Sequence, residues 1–276
     1  MATKILVDSL VLALPPLYAG LVAVYGITFF RNAPGLERLK RPYIIGVLLL
    51  HLAYLGLRTA AFDHPPITSV FEIMTLLSAA MTTAYLYLEF RTNIRNTGFF
   101  ILTLAFLFQT LSSLFIKDLT VIPEYLHSLL LGFHVSAALL GYTGISLAAV
   151  YGLLYLMLYH EIRSSKFGVV YSRLPNLETL ETMSHKAEIF GFATLTVAIM
   201  VGLFWLPRVF REYSYLDPKL VATMAIWVLY AIGLTAKRRF GWQGRKTMII
   251  SLVGFVFVFF SMMVVNMYLT TFHTFH

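Results

Sequence analysis

HSLLLGFHVSAALLGYTGISLAAVYGLLYLML, residues 127–158, runs for 32 positions without one Asp, Glu, Lys or Arg. A helix crosses the hydrocarbon core of a bilayer with roughly 20 apolar residues, so this stretch is long enough to span it and project beyond. Seven further segments have the same character, at about 6–29, 43–62, 69–90, 98–116, 187–207, 220–236 and 248–271. The whole chain of 276 residues agrees: 59% of it is hydrophobic, 12% is charged, and its mean hydropathy is +0.78. A soluble globule carries roughly 25% charged residues. A soluble two-domain enzyme, a disordered tail and a nucleic-acid-binding module are excluded on this ground. The expectation is an all-α polytopic membrane bundle of about eight transmembrane helices, with residues 1–276 forming a single membrane domain.

The connections are short, and none is long or polar enough for a separate soluble domain. The 159–186 connection is the largest, and its Leu174, Leu177 and Leu180 suggest a short interfacial helix. Pro15 and Pro16 are expected to kink the first span, which neighbouring helices tolerate. On the fifth span Gly132 and Ser136, then Gly144 and Ala148, are four apart, a pattern of close helix packing. The start, MATK, leads into an apolar segment without a small-residue cleavage site and reads as an uncleaved first helix. Cysteine is absent, which excludes disulfides, thiolate metal sites, CxxC redox chemistry and self-attachment of c-type haem. The sequence has no phosphate loop, no HExxH and no defensible Ser/His/Asp arrangement.

The formal net charge of +8 has its meaning in where the basic residues lie. The connections after spans 1, 3, 5 and 7 hold fifteen of the 21 Lys and Arg residues, and the opposite side, with Arg58, holds six. Cytoplasmic loops collect such residues, so both termini are expected outside, in a bacterial-type inner (cytoplasmic) membrane. The basic character is topology and implies no nucleic-acid partner.

The eight histidines sort by depth on this orientation. His160 and His185 face the cytoplasm, His51 lies near mid-membrane, and His64 and His127 are in or beside external loops. His134 lies in the outer part of span 5, and His273 and His276 close span 8 on one helical face. A histidine within lipid is costly and is a functional-site candidate, and imidazole is a standard axial ligand of haem iron. His134 and His273, on different helices at similar depth, meet the requirement for clamping a porphyrin. The plainer alternative has His134 bonded to a neighbouring carbonyl and His273 as a solvated terminal residue.

Arg58 and Glu72 flank the 63–68 turn by four or five residues, which at ~1.5 Å per residue puts both about 6–7 Å inside the outer surface. They read as an intramembrane ion pair closing a hairpin, or with Arg58 receiving an anionic ligand group such as a propionate. The 204–219 stretch, FWLPRVFREYSYLDPK, combines five aromatic side chains with Arg208 and Arg211. It is either an ordinary interfacial anchor or a lid over a flat ligand.

From about residue 40 to its end the sequence resembles the cytochrome c assembly family, which includes CcsA/ResC-type proteins and the shorter HemX-like branch. The resemblance rests on Asp217-Pro218-Lys219, Trp227, Tyr230, the run Gly241-Trp242-Gln243-Gly244-Arg245, and Asn266 seven residues before His273. LLGFHVSAALLGY is similar to the family helix that carries an external haem-ligand histidine, which implies that role for His134, with His273 as its partner. LPNLETLETMSHKAEIFGFATLTVAIMVG resembles the HemX-like branch. Residues 63–72 match an outer-loop motif more weakly, keeping Pro66 and Glu72 but with Ser69 and Phe71 where Asn and Tyr are usual. The family's tryptophan-rich haem-receiving segment, WGxYWSWDPKE, reads here FREYSYLDPKL, which keeps Tyr213 and the Asp217-Pro218-Lys219 run without the tryptophans. The family's inner haem site would use His51, but its second histidine is replaced by Thr235.

The resemblance therefore implies an intact outer pair, half an inner pair and a reduced haem-presenting surface, so a HemX-like role is the closer match. The expected function is haem binding or handling in cytochrome c assembly. Haem b would be held non-covalently by His134 and His273, with His51, Arg58, Tyr213, Asp217 and Trp227 as further haem-binding candidates. Expected partners are the lipid bilayer, haem, and other cytochrome c assembly subunits or a membrane complex, a partner being needed for any covalent attachment. The alternatives are a non-catalytic accessory or regulatory subunit and a b-type haem subunit passing electrons to a quinone.

Overall fold

The computed structural model describes residues 2–31, 33–118, 128–209 and 214–264. Among them every regular element is helical, and eight helices are long and apolar enough to cross a membrane. The chain is a multi-pass membrane protein, and its helices gather into two compact units, residues 1–123 and 124–276.

The first unit contains α1 (Ala2–Arg31), α2 (Pro34–Phe62), α3 (Val70–Thr92) and α4 (Gly98–Phe115). Helix α1 packs against α2 and α4, and α3 against α4. Helix α1 continues unbroken through Pro15 and Pro16. Helix α3 is started by Ser69, whose hydroxyl accepts the Glu72 amide at 3.2 Å, satisfying one of the orphan donors of its first turn. The unit's interior is unusually polar. Tyr18, His51, Thr75, Ser78, Thr82, Glu72, Glu89 and Gln109 are all buried, and in lipid such groups need partners from within the protein.

The second unit contains α5 (Leu129–Arg163), the short α6 (Val169–Arg173), α7 (Leu177–Val209), α8 (Pro218–Phe240) and α9 (Arg245–Phe260). Helices α5 and α7 form its main interface through glycine. A Cβ on Gly144 would lie 2.7 Å from the Gly191 Cα, and one on Gly141 would lie 3.1 Å from the Leu195 amide. At Gly144 the pattern is thus a backbone-to-backbone contact, and Ala148, also buried, accepts the Ser184 hydroxyl on its carbonyl at 2.8 Å. Gly132 and Ser136, which continue that pattern in the sequence, are exposed and pack against nothing nearby in the case of Gly132. Ile145, Leu195, Ile226, Tyr230 and Val258 join α5, α7, α8 and α9 in a common core.

Two helix starts differ from expectation for one physical reason. Helix α2 begins at Pro34 rather than near 43, and α7 at Leu177 rather than near 187. Both extensions carry charged residues, which hydropathy excludes from a span although they stay helical where side chains reach water or partners. The 159–186 connection is correspondingly shorter. The short helix within it, α6, contains none of the three leucines on which the expected interfacial helix rested: Leu174 is its C-cap, and Leu177 and Leu180 belong to the first turns of α7, with the Asn176 side chain accepting the Thr179 amide at 2.8 Å.

Candidate functional site

His134 lies in the second turn of α5, about 8 Å along the axis from the helix start. Its ring is held against α7. Nδ1 is 2.8 Å from the carbonyl oxygen of Ala198, a residue 64 positions away. A Cβ on Gly202 would come within 2.8 Å of the ring carbon Cε1 and 2.9 Å of Nδ1, so the imidazole occupies the space that only glycine leaves on that face of α7. A carbonyl can only accept, so Nδ1 carries the proton in this bond and the lone pair lies on Nε2. Metal-ligating histidines are oriented in this way by a bond from their other nitrogen to a carbonyl or carboxylate. The carbonyl bond of the plainer sequence reading is therefore also the bond that an axial ligand needs. Around this end of the unit Leu129, Phe133, Phe204, Tyr215 and Leu216 are exposed, and the Arg208 guanidinium lies 3.6 Å from the centre of the Phe204 ring.

His273, the expected second ligand, and Tyr213 lie outside the described residues, as do His127, Arg211, Asn266 and His276. Asp217 caps α8, its side chain accepting the Lys219 amide at 2.8 Å. Trp227 donates from Nε1 to the Thr196 hydroxyl at 2.8 Å and stacks on Phe192 with ring centres 5.4 Å apart. Both residues fix the helices beside His134 rather than presenting free groups to a ligand.

His51 is in the first unit and is fully buried. Nδ1 is 2.9 Å from the Tyr18 hydroxyl and Nε2 is 2.9 Å from the Thr75 hydroxyl, which donates onward to Gln109 Oε1 at 2.7 Å. With both ring nitrogens engaged, the imidazole has no free lone pair for iron unless one of these hydrogen bonds is broken. Arg58 is similarly committed. Nε donates to Glu72 Oε1 at 3.0 Å, Nη2 to the Lys117 carbonyl at 3.0 Å and Nη1 to Asp118 Oδ1 at 3.3 Å. The second oxygen of Glu72 accepts both the amide and the hydroxyl of Thr68, at 2.8 and 2.6 Å. A propionate at Arg58 would have to displace one of these partners.

Two polar constellations were not singled out from the sequence. At the basic end of the first unit the buried Glu89 accepts hydrogen bonds from Tyr25, Tyr85 and Arg41, at 2.9, 2.9 and 3.2 Å. In the second unit Glu181 pairs with Lys237 at 3.1 Å and accepts the Gly244 amide at 3.0 Å. His185 and Glu188 follow on the same face of α7, with Glu188 buried beside Gly233. The 181/185/188 spacing is a helical face, and it becomes legible once α7 is started at Leu177.

The sequence profile described as Cytochrome C assembly protein matches residues 67–273, three quarters of the chain and parts of both units. The chain belongs to that family. Among its relatives, the cytochrome c biogenesis protein CcsA of Guillardia theta is 26% identical over 232 residues, covering 77% of each chain. That of Trieres chinensis is 24% identical, covering 91% of this chain and 90% of its own. Protein HemX of Brevibacillus brevis is 23% identical, covering 81% of this chain and 82% of its own. This is a membrane protein of the cytochrome c assembly family, similar in sequence to both branches.

Proposed function

We propose that this cytochrome c assembly family member binds or handles haem, with haem b held non-covalently at the outer face. His134, through Nε2, and His273 would be the residues that hold its iron. The observation that carries the reading is the bond from His134 Nδ1 to the Ala198 carbonyl, which orients the ring and leaves the lone pair on Nε2. Bound haem supplies iron coordination and one-electron chemistry. The chain supplies the oriented imidazole, the apolar side chains around it and the arginine-bearing segment at 204–219. An absorption spectrum of protein purified from haem-replete cells tests this, a Soret band being the expected result.

A non-catalytic accessory or regulatory role on the same fold is the second reading. It is favoured by His51, whose nitrogens are both engaged within the first unit, and by the replacement of the inner-site histidine by Thr235. Purified protein without a Soret band supports that reading, and reversible reduction by quinol marks an electron-transfer subunit instead. If the outer site is the real one, His51→Ala leaves most bound haem in place. Loss of all haem in that variant moves the site to the interior of the first unit.

The membrane is of the bacterial inner type, with both termini outside. The support is the concentration of fifteen basic residues on one side. Cysteines introduced at Thr120 and Thr274 react with an impermeant thiol reagent in intact cells, and one at Arg239 does not. Labelling at Arg239 alone reverses the orientation and moves His134 to the cytoplasmic side.

A further inference from the structure

At the basic end of the second unit α5 finishes and α9 begins side by side. Between them is a groove of about 260 Å³ lined by Leu156, Tyr159, His160, Arg163, Arg245 and Ile249. Its chemistry changes along the helix axes. Arg163 is the last residue of α5 and Arg245 the first of α9, so both guanidinium groups start from the helix ends. Leu156 is seven residues back from Arg163 and Ile249 four residues on from Arg245. The apolar floor is therefore about 6–10 Å deeper in the membrane than the basic rim.

Among the described residues no carboxylate pairs with Arg163 or Arg245. The carboxylate nearest in sequence, Glu161, is turned away to accept the amides of Gly168 and Tyr171 at 3.2 and 2.8 Å. Lys237, at the same end, is paired with Glu181. The start of α9 already has a carboxylate, Glu181, which accepts the Gly244 amide at 3.0 Å, so the two guanidinium groups supply the positive charge of the rim. Two unpaired guanidinium groups above an apolar floor match a phosphodiester with acyl chains beneath it.

We propose that this groove binds one anionic phospholipid in the leaflet on the basic side, with its headgroup phosphate between Arg163 and Arg245 and its chains against Leu156 and Ile249. The site is independent of the haem reading and lies at the opposite end of the unit from His134. It holds one lipid in place where α5 and α9 meet, and links the protein's stability to the anionic lipid content of its membrane.

The test is native mass spectrometry of the full chain released from nanodiscs of phosphatidylcholine containing a minor fraction of phosphatidylglycerol. The expected result is preferential retention of one phosphatidylglycerol. With roughly fivefold from each guanidinium, Arg163→Gln/Arg245→Gln lowers that preference about 30-fold. Arg163→Lys/Arg245→Lys keeps part of it, and Arg239→Gln at the same end leaves it unchanged. Millimolar inorganic phosphate leaves the retained lipid in place if the acyl chains contribute, whereas its release by phosphate reduces the site to a free-anion site and overturns the proposal. Equal retention by the double glutamine variant, or no preference over phosphatidylcholine, also overturns it. So does displacement of the lipid by added haem with a Soret band that requires His160.

Discussion

Arg58→Ala is expected to destabilise the first unit by about 3–5 kcal/mol, because it leaves Glu72 buried without its counter-charge. The geometry sets that scale. Both side chains are essentially inaccessible, at 1% and 0% exposure, and are 3.0 Å apart. Arg58 also ties the segment after α4 to the hairpin through the Lys117 carbonyl and Asp118. A contrast exists within the same cluster. Lys4 pairs with Asp118 at 3.2 Å but is 57% exposed, and exposed pairs contribute about 0–1 kcal/mol. In detergent the expected order of denaturant resistance is wild type, then Lys4→Ala close behind, then Arg58→Ala far below. Glu72→Ala should resemble Arg58→Ala, and the double variant should lose less than the sum of the two, as residues in one network do. If Arg58 instead serves a propionate, its alanine variant loses haem while keeping the wild-type denaturation midpoint.

That ion pair shows which parts of the molecule can be read from sequence. Arg58 and Glu72 could be matched because a short turn separates them and helical rise alone puts them at one depth. The spans were legible for a similar reason, since the requirement for apolar residues over some 20 positions acts on each segment separately. Contacts between distant helices were not legible. His51 is identifiable as an intramembrane histidine, but its engagement depends on Tyr18 and Thr75 coming from α1 and α3. The fourfold spacing of small residues on α5 predicts close packing equally at Gly132/Ser136 and Gly144/Ala148. Of these, Gly144 meets a facing glycine, Gly191, and nothing in the α5 sequence says where α7 brings it. The charged starts of α2 and α7 were missed because hydropathy measures cost in lipid, whereas helix continuity depends on backbone bonding that extends beyond the lipid.

His134 depends on the same kind of distant contact, and its substitution has the largest expected effect on function. If haem is held by His134 and His273, His134→Gly removes one axial bond and converts a low-spin spectrum to high-spin, with weaker retention. His273→Gly should do the same, unless His276, three residues on, substitutes for it. The double His273→Gly/His276→Gly variant removes that escape. Added imidazole should restore the low-spin spectrum wherever one ligand is missing, since a free imidazole fills the vacated position without the chain. Gly202→Ala probes the orientation of the ring separately from its presence. The new methyl would fall 2.8 Å from Cε1, inside van der Waals contact, so the imidazole must move and its bond to the Ala198 carbonyl lengthens. Loss of such an orienting partner typically lowers affinity by about 10- to 100-fold. Gly202→Ala is therefore expected to retain haem poorly while still owning both ligands. Because its His134 ring still occupies the position, added imidazole should rescue it less well than it rescues His134→Gly. A structural histidine predicts another pattern: His134→Gly and Gly202→Ala would both lower stability, and neither would change the spin state of whatever haem is bound.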